Sequence, residues 1–583
     1  MVQYKKEIVM IYEILPSEHN TRAINEAIAK AQAGDTVKLI DADYYIDLET
    51  AYVGDVYPSN NDGGVRTVPI YIKDKHGITI DGGGAKLIFS GKISPIVVDN
   101  CSDFVMKNFT IDFVEPQVHQ GTVIESNEEY IEFEIDPTNY PYRVEGKDVY
   151  WQVGDVEIPS NSIYIFDYDN DSETGRRNYI MAHFAIGKYA DEHVDSEWSV
   201  TNAGTKFPRY LLVDAEEKTH GILRLNYRPN SSTLFYPKGS RILFHLTEGD
   251  RLNDTVFTKD CQNVLYEDII IRRGPTMGFI TQLTRDMTLR GCRIEPDRDR
   301  GDLLTTTADS VMFVDAMGDI LIDKCYISCS LDDGLNVHST YLGVNKVEGN
   351  RLLLNIEHKQ QKGYNPMVVG HKVAFLNTSN LRLIEGEYYV TSSKLLEDKF
   401  HIEVTLSSVP EGIDEHYNIV NMTTQPNITV QDTEYYRSTC ILIATAGKSI
   451  FRRNKVHTIG DAIHVVDEPG KWHEAGLTRD CTIEDNEFYR CGEWSDGYLL
   501  RVVERHIERD LAVAEDFVHK NIVFRNNKIV GRNPKIFHAC SVDGLVIEGN
   551  TFVRDRQSKF RDSVPYVFVD CKDVKMSGNS FEF

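Results

Sequence analysis

The chain has 583 residues, of which 41% are hydrophobic and 26% are charged, and its formal net charge is −26. This length exceeds one ordinary globular core, and it predicts either several domains or a solenoid that grows by repetition. The acidic balance disfavours nucleic acid as a partner and argues mildly against polyanionic substrates, while the absence of any run of 18 apolar residues argues against a membrane span.

The N-terminal segment does not have the pattern of a signal peptide. Residues Met1 to Leu15 contain two lysines and only a short apolar run, Ile8 to Tyr12. That run is too short and too interrupted for a signal-peptide core. The location of the protein is therefore left open. It is cytoplasmic, or, if a leader was removed, periplasmic or secreted.

The next segment, from Thr21 to Gly34, predicts a helix. Its apolar residues recur at helical spacing and share one face, and Gly34 is a typical helix stop. A helix at this place would cover the exposed end of a solenoid. The apolar face consists of Ile24, Ala27, Ile28 and Ala31.

A short phrase then recurs along the chain: an alternating strand, a small or polar residue, and another strand. Period-2 alternation predicts β-strands, and units of this length must stack to bury an apolar face. Asn527 and Asn550 are 23 residues apart, which is near the length of one coil. The residue at each bend is expected to bond along a ladder between coils. The phrases begin at Phe104, Val264, Met287, Ile320, Ile483, Ile522, Leu545 and Val574.

These repeats predict an all-β fold, a right-handed parallel β-helix. Two stretches lack the phrase and carry longer aromatic strands, so we expect them to be inserted small β-barrel or sandwich modules. They either close the cleft into a pocket or build a subunit interface. The ten cysteines lack metal-binding spacing and are expected to be buried thiols. The predicted organisation is an N-terminal cap with the first coils (1–114), module 1 (115–250), central coils (251–340), module 2 (341–425) and C-terminal coils (426–583).

The candidate catalytic residues lie in the central coils. Asp309 follows a threonine-rich turn, and Asp332 and Asp333 come 23 and 24 residues later, close to one coil. Coils stack roughly 4.8 Å apart, so these carboxyl groups are expected to reach one substrate bond. Gly334 is expected to allow a bend that turns both neighbours to the cleft. Glycoside cleavage needs a protonated and an ionised carboxyl group, and crowding raises at least one pKa.

The order Ala308-Asp309-Ser310 followed by Leu331-Asp332-Asp333-Gly334 resembles the aspartates of family 28 polygalacturonases, which are inverting β-helix hydrolases. The Gly-His-Gly and Arg-x-Lys segments of that family are not evident. With its two insertions, the whole chain resembles glycoside hydrolase family 110, the α-1,3-galactosidases. This resemblance implies an inverting exo-enzyme that removes terminal α-1,3-linked galactose from blood-group-B and related glycans. It implies Asp332 as the general acid, and Asp309 and Asp333 as the pair that positions and deprotonates water.

Further residues are candidates for contacts with the sugar. A histidine near the aspartates can bond a hydroxyl group, and a tryptophan beside a carboxylate suits stacking on the apolar face of galactose. The predicted substrate-binding residues are Asp315, Asn336, His338, Asp461, His464, Glu468 and Trp472.

Two other functions stay open at this point. One is a polygalacturonase or polysaccharide lyase on the same fold, and the other is a non-catalytic, glycan-binding β-helix. No organic cofactor is expected, because no glycine-rich phosphate loop stands in a strand–helix context. No metal is expected either. The expected partner is an oligosaccharide with terminal α-galactose, and a homo-oligomer is left open.

Overall fold

The computed structural model describes most of the chain, with gaps in the first β-rich stretch and in the C-terminal half. The described residues are 9–116, 118–159, 162–167, 181–192, 198–200, 206–208, 211–229, 231, 236–246, 251, 253–492, 497–504, 517–531, 535–554 and 565–582.

The first part of the chain holds a helix and the first coils. Helix α1 spans Asn20–Lys30 and buries Ile24, Ala27 and Ile28 in the main apolar core, against the inner faces of the first strands. The strands are β1 Ile11–Ile14, β2 Thr36–Leu39, β3 Asp43–Tyr45, β4 Tyr52–Val56, β5 Gly64–Val68, β6 Ile70–Lys73, β7 Thr79–Phe89, β8 Ile96–Asp99 and β9 Ser102–Phe113.

The next stretch forms a closed barrel of seven strands in the order β10-β11-β20-β19-β16-β15-β21. Its core is separate from the main one and is centred on Trp151 and Phe244. The elements are β10 His119–Ser126, β11 Tyr130–Glu134, β12 Tyr142–Glu145, β13 Asp148–Val153, β14 Val156–Pro159, β15 Ser162–Asp167, β16 Met181–Ile186, α2 Gly187–Glu192, β17 Trp198–Val200, β18 Lys206–Pro208, β19 Leu211–Thr219, β20 Ile222–Tyr227 and β21 Arg241–Leu246.

The central coils resume beyond the barrel, and β23 pairs in parallel with β9 across the whole intervening stretch. The strands are β22 Val256–Lys259, β23 Gln262–Ile271, β24 Phe279–Gln282, β25 Arg285–Arg290, β26 Arg293–Ile294, β27 Val311–Val314, β28 Met317–Asp323, β29 Tyr326–Ser328 and β30 Leu335–Glu348.

The long strand β30 leaves the coils and enters a second β-unit. Its antiparallel pairings close in the cycle β30–β31–β34–β33–β32–β35–β30, around a core that includes Leu354, Val373 and Phe375. The elements are β31 Arg351–Asn355, a 3₁₀ turn Lys359–Gln361, β32 Lys372–Asn377, β33 Leu383–Leu395, β34 His401–Leu406 and β35 Tyr417–Asn421.

The remaining strands continue the parallel coils, except β42, which pairs antiparallel with β30. They are β36 Asn427–Gln431, β37 Glu434–Ser438, β38 Ile441–Ile443, β39 Lys448–Arg452, β40 Lys455–Thr458, β41 Ile463–Asp467, β42 Glu474–Ala475, β43 Asp480–Glu484, β44 Glu487–Tyr489, β45 Leu500–Glu504, β46 His519–Arg525, β47 Lys528–Gly531, β48 Phe537–Glu548, β49 Thr551–Arg554, β50 Tyr566–Ser577 and β51 Ser580–Glu582.

The coils stack through parallel pairing, which confirms the predicted all-β, β-helical fold. Inward-facing residues of successive coils, such as Phe313, Val337 and Ile443, form one continuous apolar core. The asparagine ladder is present: the backbone N–H of Asn527 donates to Oδ1 of Asn550, and that of Asn550 donates to Oδ1 of Asn579, at 2.9 and 3.0 Å.

Two further expectations concern the cysteines and membranes. All ten cysteines lie in the described residues and none forms a disulfide. Eight are buried, as predicted, whereas Cys491 and Cys571 are only partly buried. Among the helices of the described chain, none is long and apolar enough to cross a membrane.

Candidate active site

The three aspartates lie in the turns that lead into β27 and β30. The pairing Met312 with Asn336 sets the register of these strands, and the backbone N–H of Ser310 donates to the carbonyl of Asp333 at 2.8 Å. Asp309 therefore stands opposite Asp333. Asp332 lies one position earlier, where the turn carries its side chain toward solvent.

Gly334 has a different role from the predicted one. Its backbone is not in the left-handed region, so no special bend depends on it. A Cβ at this position would instead lie 2.7 Å from Ser438 Oγ and 2.9 Å from Tyr435 Cδ1. Glycine is needed here because the next coil packs directly against the backbone beside Asp333.

The carboxyl groups of Asp309, Asp332 and Asp333 form a compact cluster. Each contributes one carboxylate oxygen, and these oxygens all lie within 4.8 Å of one another. Asp309 and Asp333 are buried, whereas the side chain of Asp332 is 38% exposed. Burial, followed by the charges of Asp332 and Asp333, raises the pKa of Asp309 well above its usual value. The cluster thus retains a proton at pH values at which isolated carboxyl groups would be ionised.

Arg251 contacts the exposed member of the cluster. Its Nη2 donates to Asp332 Oδ2 at 3.2 Å, and its guanidinium carbon lies 5.5 Å from the centre of the Trp472 ring. The Trp472 ring in turn lies 4.5 Å from that of His358. The loop before β5 holds Arg251 in place, since the backbone N–H of Arg251 donates to Asp62 Oδ2 at 2.9 Å. Trp472 is therefore brought to the mouth of the cluster through Arg251.

A buried polar wall lies behind the cluster. Asn336 and His338 extend outward from β30, and His338 Nδ1 lies 2.8 Å from Asn336 Oδ1. Glu474 Oε1 lies 3.9 Å from His338 Nδ1 and accepts from Asn60 Nδ2 at 2.7 Å. Burial lowers the pKa of His338 to about 4, so the imidazole is neutral near neutral pH. The His338 side chain is fully buried and its Nδ1 is engaged with Asn336, so this pair supports the cluster from behind and is not open to a sugar in this structure.

Asp333 has a thiol partner on the next coil. Cys440 Sγ lies 2.9 Å from Asp333 Oδ1, and both residues are buried. The backbone N–H of Gly334 donates to the carbonyl of Cys440 at 2.8 Å, which fixes the register between the two turns.

Four predicted substrate-binding residues lie elsewhere or have other partners. Asp315 is fully buried and accepts from Thr424 Oγ1 at 2.7 Å and Tyr364 Oη at 2.8 Å, so it anchors the second β-unit and is not open to a sugar. Asp461 stands two coils beyond Asp333 and pairs with Arg501 at 2.7 Å. The other two, both buried, are His464 on β41 and Glu468 in a backbone bridge with Glu474.

The same three aspartates are also the described group that could hold a metal ion. Carboxylate oxygens suit hard cations such as Ca²⁺, which however takes six to eight oxygen ligands. Arg251 already supplies positive charge at the exposed side of the cluster, beside Asp332.

Sequence reasoning missed Arg251, Asn60, His358, Glu474 and Cys440. Arg251 follows the first barrel, Asn60 precedes β5, and Glu474 lies in β42, so their proximity depends on folding across hundreds of positions. A signal was present for Cys440 alone, because it stands one coil beyond Gly334 in the repeat register.

Comparisons with known proteins identify relatives along most of the chain. No family model matches it. It is 24% identical over 561 residues to a Bacteroides thetaiotaomicron protein named alpha-1,3-galactosidase B, covering 95% of this chain and 86% of that protein. It is 27% identical over 530 residues to alpha-1,3-galactosidase A of Bacteroides fragilis, covering 89% of this chain and 81% of that one.

Among solved structures, a family 28 exopolygalacturonase of Yersinia enterocolitica matches with a TM-score of 0.33 and 10% identity, covering 97% of this chain and 78% of that one. A likeness at this level shows no function. The alignments with the two sequence relatives cover 95% and 89% of this chain. The chain is a homologue, over most of its length, of proteins named alpha-1,3-galactosidases.

Proposed function

We propose that this protein is an exo-acting α-galactosidase that hydrolyses terminal α-1,3-linked galactose with inversion. The observation that carries the proposal is the cluster of Asp309, Asp332 and Asp333, with one exposed and two buried carboxyl groups. Glycoside hydrolysis requires a proton donor at the leaving oxygen and a carboxylate that activates water. The homology to alpha-1,3-galactosidases supplies the reaction class and the sugar.

Asp332 is the general acid in this proposal. It is the exposed member of the cluster, so it meets the glycosidic oxygen of a chain that extends into solvent. The C1–O bond breaks as the leaving oxygen takes its proton, while the oxygen of a water molecule bonds to C1 from the opposite face. Asp333 accepts the proton of that water, and Asp309 holds the water with the proton that burial leaves on it.

The position of the proton in the unliganded protein differs from this assignment. Burial and the charges of its neighbours favour the protonated form of Asp309. The oxygens of Asp309 and Asp332 lie within 4.8 Å of one another, so the proton stays within the cluster when it passes to Asp332.

Inversion rests on the resemblance to inverting families and on no distance in this structure. Facing oxygens within 4.8 Å are closer than the roughly 6.5–9.5 Å typical of inverting carboxyl pairs and nearer to the 5–5.5 Å of retaining ones. The stereochemistry of the first product is therefore the decisive measurement.

We also infer how the other parts of the molecule serve this site. The closed barrel and the second β-unit are insertions into the β-helix, and α1 caps its first coil. The second unit contributes His358 beside Trp472 and Tyr364 beneath the site. These walls favour removal of one terminal sugar over cleavage within a chain, and blood-group-B glycans are the proposed branched substrates.

Proton NMR of the reaction tests the proposal. Wild type and Asp332→Asn act on Gal-α1,3-Gal and on the fucosylated B-type trisaccharide, with the exposed substitution Asp480→Asn as control. First release of β-galactose by wild type and by the control, and none by Asp332→Asn, supports the proposal. First release of α-galactose would replace inversion by retention.

Leaving-group dependence tests the acid. With an aryl α-galactoside that carries a good leaving group, Asp332→Asn should recover activity, because protonation is no longer required, whereas Asp333→Asn should not. Release of uronate from polygalacturonate, with no release from either galactoside, would favour the polygalacturonase alternative instead.

A further inference from the structure

Cys440 is a buried thiol in direct contact with a carboxyl group of the proposed catalytic cluster. Its Sγ lies 2.9 Å from Asp333 Oδ1, on the coil that stacks against the turn carrying Asp333. The thiol also belongs to a cluster of buried apolar side chains. Its cluster consists of Leu442, Ala444, Val466, Val503 and Cys540.

The chemistry of this contact is directional. A thiol S–H is a weak donor, and an ionised carboxylate accepts only. A hydrogen bond given to the ionised form stabilises it relative to the protonated form. A thiolate in the same place would be repelled by Asp333, so the proton stays on sulfur.

Other charged groups act on the same carboxyl group. Asp309 faces Asp333 from the preceding coil, and Asp332 adjoins it in the same turn. Arg251 lies at the exposed side of the cluster, and Glu474 lies in the buried wall, from which its charge acts on Asp309. Three carboxyl groups compete for few protons here, so a fixed donor beside one of them biases which of them is ionised.

We propose that Cys440 is a positioning residue that holds Asp333 in its ionised form, oriented to take a proton from the attacking water. The inference rests on the proposed function of Asp333 as the base. In the folded protein without substrate, the Cys440 thiol likewise supports the ionised form of Asp333.

The first experiment compares the pH profiles of Cys440→Ala and Cys440→Ser. The alanine variant loses the donor, so the acidic limb of kcat should move to higher pH by about half a unit, with KM changed less than about 2-fold. The serine variant keeps a donor of similar size, so its acidic limb should match that of wild type. Cys540→Ala, from the same apolar cluster but three coils further on, is the matched control and should leave the limb in place.

The second experiment needs no activity. A donor that favours the ionised form in the folded chain adds stability at neutral pH, and that stability is lost as the pH falls and the carboxyl group is protonated. The Tm of Cys440→Ser should therefore exceed that of Cys440→Ala at pH 7 by more than it does at pH 4. If Cys440→Ala does not fold, Cys440→Val, which also lacks the donor, is measured in its place.

Two results would overturn the inference. One is an acidic limb that is the same in the alanine and serine variants. The other is a Tm difference between them that does not change with pH, which is the signature of packing alone. An inactive wild type would count against the proposed function and not against this inference, because the stability measurement still decides the role of the thiol.

Discussion

Asp309 is a buried carboxyl group whose pKa is raised well above its usual value by burial and by its charged neighbours. A group raised in this way reduces stability as the pH rises, because the unfolded chain ionises at a lower pH than the folded one. Asparagine has a similar size and never ionises. We predict that Asp309→Asn raises the Tm by about 1–2 °C at pH 8 and by less at pH 4, while kcat/KM falls by about 10³-fold or more.

Calorimetry at the two pH values checks this prediction. The exposed substitution Asp480→Asn is the control and should change neither Tm nor activity. An increase in Tm that is equal at pH 4 and pH 8 would show that Asp309 carries no raised pKa.

Arg251 joins three parts of the site, since it contacts Asp332 and Trp472 and is held by Asp62. A guanidinium can bond a carboxylate and lie over an aromatic ring at once, and an ammonium does this less well. We predict that Arg251→Met lowers kcat/KM by about 10²-fold and that Arg251→Lys lowers it by about 10-fold. Initial rates on Gal-α1,3-Gal measure both effects.

The matched control for Arg251 is Arg290→Met. Arg290 is a half-exposed arginine on β25 that pairs with Glu267 and Asp323, away from the cluster. It should leave kcat/KM within about 2-fold of wild type, since exposed ion pairs contribute little. Equal losses in both variants would mean that loss of positive charge anywhere on the molecule matters, and not this contact.

At the scale of elements, the close approach of two coils at Gly334 supports the geometry of the aspartates. A methyl group there would lie 2.7 Å from Ser438 Oγ and 2.9 Å from Tyr435 Cδ1, so the turns must separate. We predict that Gly334→Ala lowers the free energy of unfolding by about 1–3 kcal/mol and lowers kcat more than KM. Thermal unfolding and steady-state kinetics measure the two effects.

Gly531 supplies the control for this substitution. It lies on β47, it has no positive φ, and a Cβ added there would have no atom within 4 Å. Gly531→Ala should therefore be neutral within about 0.5 kcal/mol. A Gly334→Ala variant as stable and active as Gly531→Ala would show that the two coils move apart without loss of stability or activity.

The junction between β30 and the second β-unit depends on a buried carboxyl group. Tyr364 donates to Asp315 at 2.8 Å, and Asp315 is fully buried. We predict that Tyr364→Phe lowers the free energy of unfolding by about 1–2 kcal/mol, because an acceptor inside the protein loses a donor. Tyr389→Phe, an exposed tyrosine of the same unit, should have no such effect in the same calorimetric comparison.

The repeat phrases predicted the strands well because each phrase has its own alternation of apolar and polar residues, as in the strand from Leu545 that precedes Asn550. The spacings of 23 and 24 residues put both Asp332 and Asp333 about one coil from Asp309. A count of residues does not show which of the two stands opposite Asp309, and the pairing of β27 with β30 shows that it is Asp333. The partners of the cluster were beyond reach for another reason. Arg251, Asn60 and Glu474 come from connections of different lengths, and only the closed fold brings them within a few ångströms of one place.

At the scale of the whole molecule, a net charge of −26 produces repulsion that folding increases. Exposed ion pairs, such as Arg143 with Glu157 at 2.6 Å, oppose it, but each contributes only about 0–1 kcal/mol and weakens in salt as well. Repulsion among unpaired carboxylates should therefore dominate. We predict that the Tm rises by about 2–4 °C when NaCl increases from about 10 to about 150 mM.

The form of this salt dependence separates screening from other effects of the solute. Screening saturates as the Debye length falls to about 8 Å near physiological ionic strength, so the rise in Tm should flatten above that concentration. Sucrose, which is excluded from protein surfaces, should instead raise the Tm steadily with concentration. A Tm that stays constant or falls between the two salt concentrations would mean that ion pairs outweigh repulsion, and that the acidic surface is balanced locally despite its net charge.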